Sequence, residues 1–253
     1  MSDVTDWRSG AVRMLAGLRH AIPTKTVAGT IAFVLLSASI APVAAADVPA
    51  MAVAVRAGTT GIGLDYNIAL GQSFSARVGY SGLNYNHSVS TSDVDYDGTL
   101  KLSMLSGLLD WYPFHGGFHL TVGAVGNGTK LDVTGTPAAG GSYTINGNTY
   151  TSSDVGSLSG QLKFGNSVAP YVGLGWGNPV GHSHLHFLVD IGAIYGGTPS
   201  VSLTAHCGPA IPTGSPECTQ LQSDVQAERL KLQNDVTIIK WYPVFNLGLA
   251  YRF

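Results

Sequence analysis

In a chain of 253 residues that is only 11% charged, few groups can do polar chemistry, and their placement counts for more than their number. Arg56, Arg77 and Arg252, with Asp65, Asp110 and Asp190, each fall in a stretch where bulky apolar residues alternate with small or hydrophilic ones. Alternate residues of a strand share a face, so all six project to one side, opposite Leu, Val, Tyr and Phe. Three cations and three anions enclosed in one narrow space should pair, since an isolated buried charge is very costly. Such a set is either a structural plug of ion pairs or a polar track for small charged or zwitterionic molecules. Glycines on the same face (Gly63, Gly79, Gly123, Gly173, Gly175, Gly192, Gly248) leave space for long side chains or water.

Other groups suggest less. His182, His184 and His186 share a face if extended, a spacing that can chelate a divalent cation. No cysteine lies nearby and His182 falls in a turn, so a solvated rim is the better reading and no metal or cofactor is expected. No G-x-S-x-G elbow is present, and Ser183 with its histidines falls at the end away from where a lipid-modifying barrel meets acyl chains. An enzyme is not expected. Cys207 and Cys218, in a Pro-rich segment, read as one disulfide of an exported loop.

The elements that must position these groups read most clearly at the C-terminus. Phe245, Leu247, Leu249, Tyr251 and Phe253 alternate with Val244, Asn246, Gly248, Ala250 and Arg252. Large apolar groups on one side and small or polar ones opposite suit a strand between lipid and an enclosed interior. Tyr251 and the final Phe253 are expected to act as an assembly signal read by the barrel assembly machinery. Seven further segments read as strands: Met51–Ala57, Gly61–Leu70, from Ser73 onwards, Leu100–Tyr112 (which alternates less cleanly, with Asp110 inward and Leu105, Leu109 and Trp111 outward), Phe118–Val125, a stretch ending at Trp176, and His184–Tyr195.

Short connections at 71–72, 113–117 and 177–182 alternate with long ones at 88–97, 135–155 and 206–234. Outer-membrane barrels have short periplasmic turns and long outer loops, so both chain ends are expected inside. Phe74, Trp111, Tyr112, Phe114, Phe118, Trp176 and Phe253 then form an inner aromatic rim, with Trp241 and Tyr242 towards the outer one. A soluble lipocalin-like barrel would reverse the faces and pack its polar interior poorly. The fold expected is an all-β, eight-stranded antiparallel transmembrane β-barrel, monomeric, in the outer membrane of a Gram-negative bacterium. A short helix over 219–235, with Thr219 and Gln222 as a capping box and a thin stripe of Leu221, Val225 and Leu232, would cover the mouth.

At the other end, an apolar run over 27–43 follows Arg13, Arg19 and Lys25 and precedes Ala44-Ala45-Ala46. That pattern predicts a secretory signal peptide over 1–46, with 47–253 as the barrel; Met14 is the more conventional start, making 1–13 an extension. Residues 47–253 keep 9 basic and 13 acidic side chains, and no basic patch suggests nucleic acid.

The stretches 56–61 (Arg-Ala-Gly-Thr-Thr-Gly), 78–82 (Val-Gly-Tyr-Ser-Gly), 145–150 (Ile-Asn-Gly-Asn-Thr-Tyr), 167–175 and 196–204 carry a resemblance in their order and spacing. Through them the chain resembles the carbapenem-resistance-associated outer-membrane protein family, the CarO type, over nearly all of 52–253. The cysteine segment at 207–218 departs from that pattern. The resemblance implies a small outer-membrane barrel linked to uptake of basic amino acids such as ornithine and to drug permeability. Two functions are therefore carried forward: a narrow porin-like channel for small polar solutes, or a sealed structural or adhesive barrel presenting outer loops. Outer-membrane lipid and lipopolysaccharide are its expected surroundings.

Overall fold

The computed structural model describes residues 49–91, 93–238 and 240–253; the expected signal peptide lies outside them. Thirteen strands and one long helix follow in chain order: β1 Met51–Gly58, β2 Gly61–Ala69, β3 Phe74–Ser90, β4 Val94–Trp111, β5 Phe118–Asn127, β6 Lys130–Pro137, β7 Ser142–Ile145, β8 Asn148–Thr151, β9 Val155–Lys163, β10 Val168–Trp176, β11 Leu185–Tyr195, β12 Ser200–Cys207, α1 Pro216–Asp235 and β13 Trp241–Arg252. Eight of the strands pair antiparallel into a closed ring, in the order β1, β2, β3, β4, β5, β10, β11, β13 and back to β1. They are the eight segments legible as strands, but β3 and β4 reach to Ser90 and Val94, so most of the long connection expected over 88–97 is paired strand. Among the described residues, no helix is long and apolar enough to cross a membrane.

Alternation sets the two faces of the ring. Val53, Val55, Ile62, Leu64, Val78, Leu105, Val122, Val172, Phe187, Leu247 and Leu249 are exposed on the outside, while Ala54, Arg56, Arg77, Asp110, Asp190 and Ala250 are buried within. A continuous apolar band of this extent would be untenable in water and is what lipid covers in a membrane barrel. Phe74, Trp111, Phe114, Trp176 and Phe253 are exposed at the end carrying the short turns.

Two aromatic residues expected in the rims turn inward instead. Tyr112 is 2% exposed, with its ring 5.3 Å from that of His119. Tyr242 packs edge-on to Phe164 at 5.5 Å and donates to the Thr59 carbonyl oxygen. The cause is geometric: Trp111–Tyr112 and Trp241–Tyr242 are strand neighbours, and neighbours point to opposite faces. In each pair Trp takes the outer position.

The expected long loops are mostly ordered. β5 runs on into β6, β9 into β10, and β11 into β12, so that the outer halves of β3 and β4 with β6, β9 and β12 form one side wall above the ring. At the β9–β10 junction Gly165 lies against the Thr198 backbone, where a Cβ would overlap the carbonyl. The β7–β8 hairpin turns on Asn146 and Gly147, with φ of 52° and 88°; this is the Asn-Gly pair that two-residue hairpins favour.

Helix α1 is capped four residues earlier than its capping-box pattern implies. Ser215, rather than Thr219, is the N-cap, its hydroxyl accepting from the Cys218 amide at 3.1 Å, with Pro216 next; proline suits a first turn whose N–H would be unpaired. Leu221 and Val225 are fully buried and Leu232 partly so, against Val155, Leu158, Leu203 and Ala205 of the wall and Tyr143 and Ile145 of the hairpin. Wall, hairpin and helix thus form an outer cap with its own apolar core. Cys207 and Cys218 are disulfide-bonded with Cα atoms 5.8 Å apart, tying the end of β12 to the first turn of α1.

A buried carboxylate organises the cap. Asp224 accepts hydrogen bonds from Asn146 (3.1 Å), Asn148 (2.7 Å), Tyr150 (2.5 Å) and Gln220 (3.3 Å). Burial pushes this carboxyl up, but the four donors outweigh it and hold it below the ordinary value, while burial and the bond to Asp224 push the Tyr150 phenol up. A carboxyl depressed in the folded state contributes stability that is complete above its unfolded value and lost as pH falls through the folded one. Hairpin amides over 145–150 are therefore expected to stay protected at pH 6 and to exchange faster well below about pH 4, as hydrogen exchange would report.

Candidate functional site

Inside the ring the side chains form three tiers. The middle tier holds the charges. Arg56 of β1 is ion-paired with both Asp65 of β2 and Asp190 of β11. Arg77 of β3 lies 3.2 Å from Asp110 of β4 and 3.2 Å from Asp190. Asp110 also accepts from the Thr121 hydroxyl at 2.6 Å. His119 of β5 donates through Nδ1 to the Gly117 carbonyl oxygen at 3.2 Å and sets Nε2 3.3 Å from Asp190. Two guanidiniums, three carboxylates and one imidazole from six strands therefore meet across the bore.

Five of the six charges singled out in the sequence come together here; Arg252 does not. It pairs in register with Ala52, four residues below the Arg56–Gly248 rung, which is roughly 13 Å along the strand. Its guanidinium donates to the Gly181 carbonyl oxygen at the inner mouth. Facing inward was legible from alternation, but height within the ring depends on strand pairing. His119 and Thr121 lie on the inward face by the same alternation, but neither carries the full charge that marks the other members of the tier.

Glycines on the wall give the tier its room. A Cβ at Gly79 would overlap the Asp65 carboxylate, one at Gly248 would come 2.9 Å from Arg56 Cγ, and one at Gly192 would overlap the Tyr171 hydroxyl. Gly79→Ala is expected to displace Asp65 from Arg56 and to cost about 1–3 kcal/mol. A drop in the urea midpoint of the folded protein in lipid vesicles would report it.

The outer tier departs from the polar interior expected. Met104, Val125, Tyr171, Ile194 and Val244 are buried there as one apolar cluster, with Leu108 and Tyr242 against it. They occupy inward positions of β4, β5, β10, β11 and β13, above the charges. Between the two tiers is a cavity of about 50 Å³ lined by Arg56, Asp65, Arg77, Ser106 and Tyr171, enough for very few water molecules. An interior of eight strands is about filled by its own side chains, and here charges fill the middle and hydrocarbon the outer half.

The inner tier is open. A vestibule of about 720 Å³ is lined by Gln72, Phe74, Tyr112, His115, His182 and Arg252, among others. His182 thus lines this mouth, while the His184 ring sits 6.3 Å from Tyr251 and His186 Nε2 bonds the Ser183 carbonyl oxygen at 2.8 Å. The three do not converge, and no cluster of metal-ligating residues occurs among the described residues. Tyr251 and Phe253 are exposed on the outer surface beside this mouth.

No protein-family model matches the chain, and no curated protein matches it. Solved structures do. The crystal structure of CarO2 from Acinetobacter baumannii is 24% identical, with a TM-score of 0.55, over 81% of this chain and 99% of that one. The structure of CarO from the same organism is also 24% identical with a TM-score of 0.55, over 80% of this chain and 97% of that one. The likeness is one of fold: this chain has the fold of the A. baumannii CarO structures.

Proposed function

We propose that this chain is a CarO-type protein of the Gram-negative outer membrane, a monomeric barrel with a closed lumen whose outer cap is its working surface. One observation carries the reading: the ion-pair tier and the apolar tier lie one above the other across the same bore, and nearly all the space between them is filled. Both would have to open before a solute could pass. Tyr251 and Phe253, exposed at the end of the last strand, would be read by the barrel assembly machinery. Lipid and lipopolysaccharide would surround the apolar band.

The purified protein in a planar bilayer is expected to show no steady single-channel conductance, and vesicles carrying it no added flux of amino acids. A reproducible open level, or ornithine entry above that of empty vesicles, would replace this reading with a second one. That alternative is a narrow porin-like channel for basic or zwitterionic amino acids, favoured by the open vestibule under a tier of mixed charge. In it Asp65, Asp110 and Asp190 would attract the amine, and Arg56 and Arg77 would face the carboxylate.

A further inference from the structure

Residues 47–253 contain five lysines, and three of them stand in one row. Lys101 of β4 is directly opposite Lys130 of β6, which is directly opposite Lys163 of β9. Opposed residues of antiparallel neighbours share a face, with Cβ atoms about 5 Å apart. The next row, Leu100–Leu131–Leu162, takes the opposite face and lines a cleft within the cap. By alternation the lysines take the outward face of the wall, with Lys130 and Lys163 also bordering that cleft.

Like charges set directly opposite one another destabilise a sheet, and this row has little to offset them. Among the described residues Lys101 and Lys163 make no ion pair, and Lys130 has Asp132 at 3.8 Å with both side chains over a third exposed. A pair that open stabilises little. The acidic residues of the same face, Asp132, Asp97 and Asp95, all lie further from the ring, so the positive row is the part nearest the lipid-type band. Leu105, the last exposed apolar residue of β4 below the row, is four residues away, roughly 14 Å along a tilted strand.

A groove of about 570 Å³ on this outer face is lined by Lys101 and Lys130 above and by Ile62 and Tyr80 below. Its upper rim suits phosphate and its lower rim suits hydrocarbon, a combination that a free anion does not need and an anionic lipid does. We propose that Lys101, Lys130 and Lys163 form a docking row for the phosphate groups of a phosphorylated glycolipid in the leaflet around the outer end of the ring. This rests on the outer-membrane reading above.

Native mass spectrometry of the full folded chain released from detergent, with bisphosphorylated lipid A as the probe, tests it. Wild type is expected to retain lipid A, and the Lys101→Gln, Lys130→Gln, Lys163→Gln triple variant to lose affinity about a hundredfold. The triple Lys→Arg variant should retain it, and Arg229→Gln, a charge removed elsewhere on the cap, should change nothing. Without lipid A, the triple Gln variant should unfold at higher urea than wild type.

Equal retention by the Gln variant, equal binding of dephosphorylated lipid A, or displacement by equimolar inorganic phosphate would each overturn the row. Should the Gln variant fail to fold, wild type alone decides, through phosphorylated against dephosphorylated lipid A and loss of binding with salt. Failure of wild type to insert into lipid vesicles would instead remove the outer-membrane reading, whereas insertion with phosphate-independent binding removes only the lysine row.

Discussion

Asp190→Asn is expected to lower the stability of the folded ring by about 1.5–3 kcal/mol, the worth of the charge-assisted hydrogen bonds that converge on its carboxylate. Asp190 is where the middle tier converges: Arg56, Arg77 and His119 all meet its carboxylate. The substitution keeps the shape and removes the charge. Arg56 is left with Asp65 and Arg77 with Asp110, and each guanidinium loses one anion in a site almost without room for water. Urea unfolding in lipid vesicles, followed by tryptophan fluorescence, would show the shift in midpoint. Arg252→Gln provides the contrast, because that side chain meets only a carbonyl at the open mouth, and a change within about 0.5 kcal/mol is expected. A loss below about 1 kcal/mol for Asp190→Asn would mean that the tier is hydrated like a surface network, and the closed-lumen reading would fail with it.

The second large effect belongs to the cap. Leu221→Ala removes a fully buried side chain from the core shared by α1, the wall and the hairpin, and about 2–5 kcal/mol is expected to go with it. That core draws none of its residues from β1, β2, β5, β10, β11 or β13. The loss should therefore be local: in hydrogen exchange, amides of β9, β12 and α1 lose protection while those of β1, β2 and β13 keep theirs. An equal loss around the whole ring would show that cap and ring unfold as one unit.

How far the sequence could be read depended on which solvent each segment meets. The ring strands were legible because lipid outside and charge inside make their alternation extreme, as in Leu247-Gly248-Leu249-Ala250-Tyr251-Arg252. β6, β9 and β12 alternate more quietly, with Lys130, Asp132 and Thr134 on the watered face and Leu131 and Val133 on the other. Sought with the pattern of lipid-facing strands, they read as loops. The Asn146-Gly147 pair was the one strong local signal of structure there. Within the site, alternation gave the inward direction of every charge but no height, so Arg252 joined a group from which register separates it. The apolar outer tier was hidden for a related reason: Met104, Val125 and Val244 are ordinary strand residues, and only closure of the ring brings them together.

The ring has a seam, and the seam joins the two ends of its strand sequence. β1 lies against β13 through seven rungs, from Ala52–Arg252 to Gly58–Asn246. Until residue 252 has been delivered, β1 and β11 both remain raw edges, with a full row of amides and carbonyls unanswered. No partial product can therefore finish early. Closure waits for β13, and until it pairs, the open edges can template pairing with another copy of the chain.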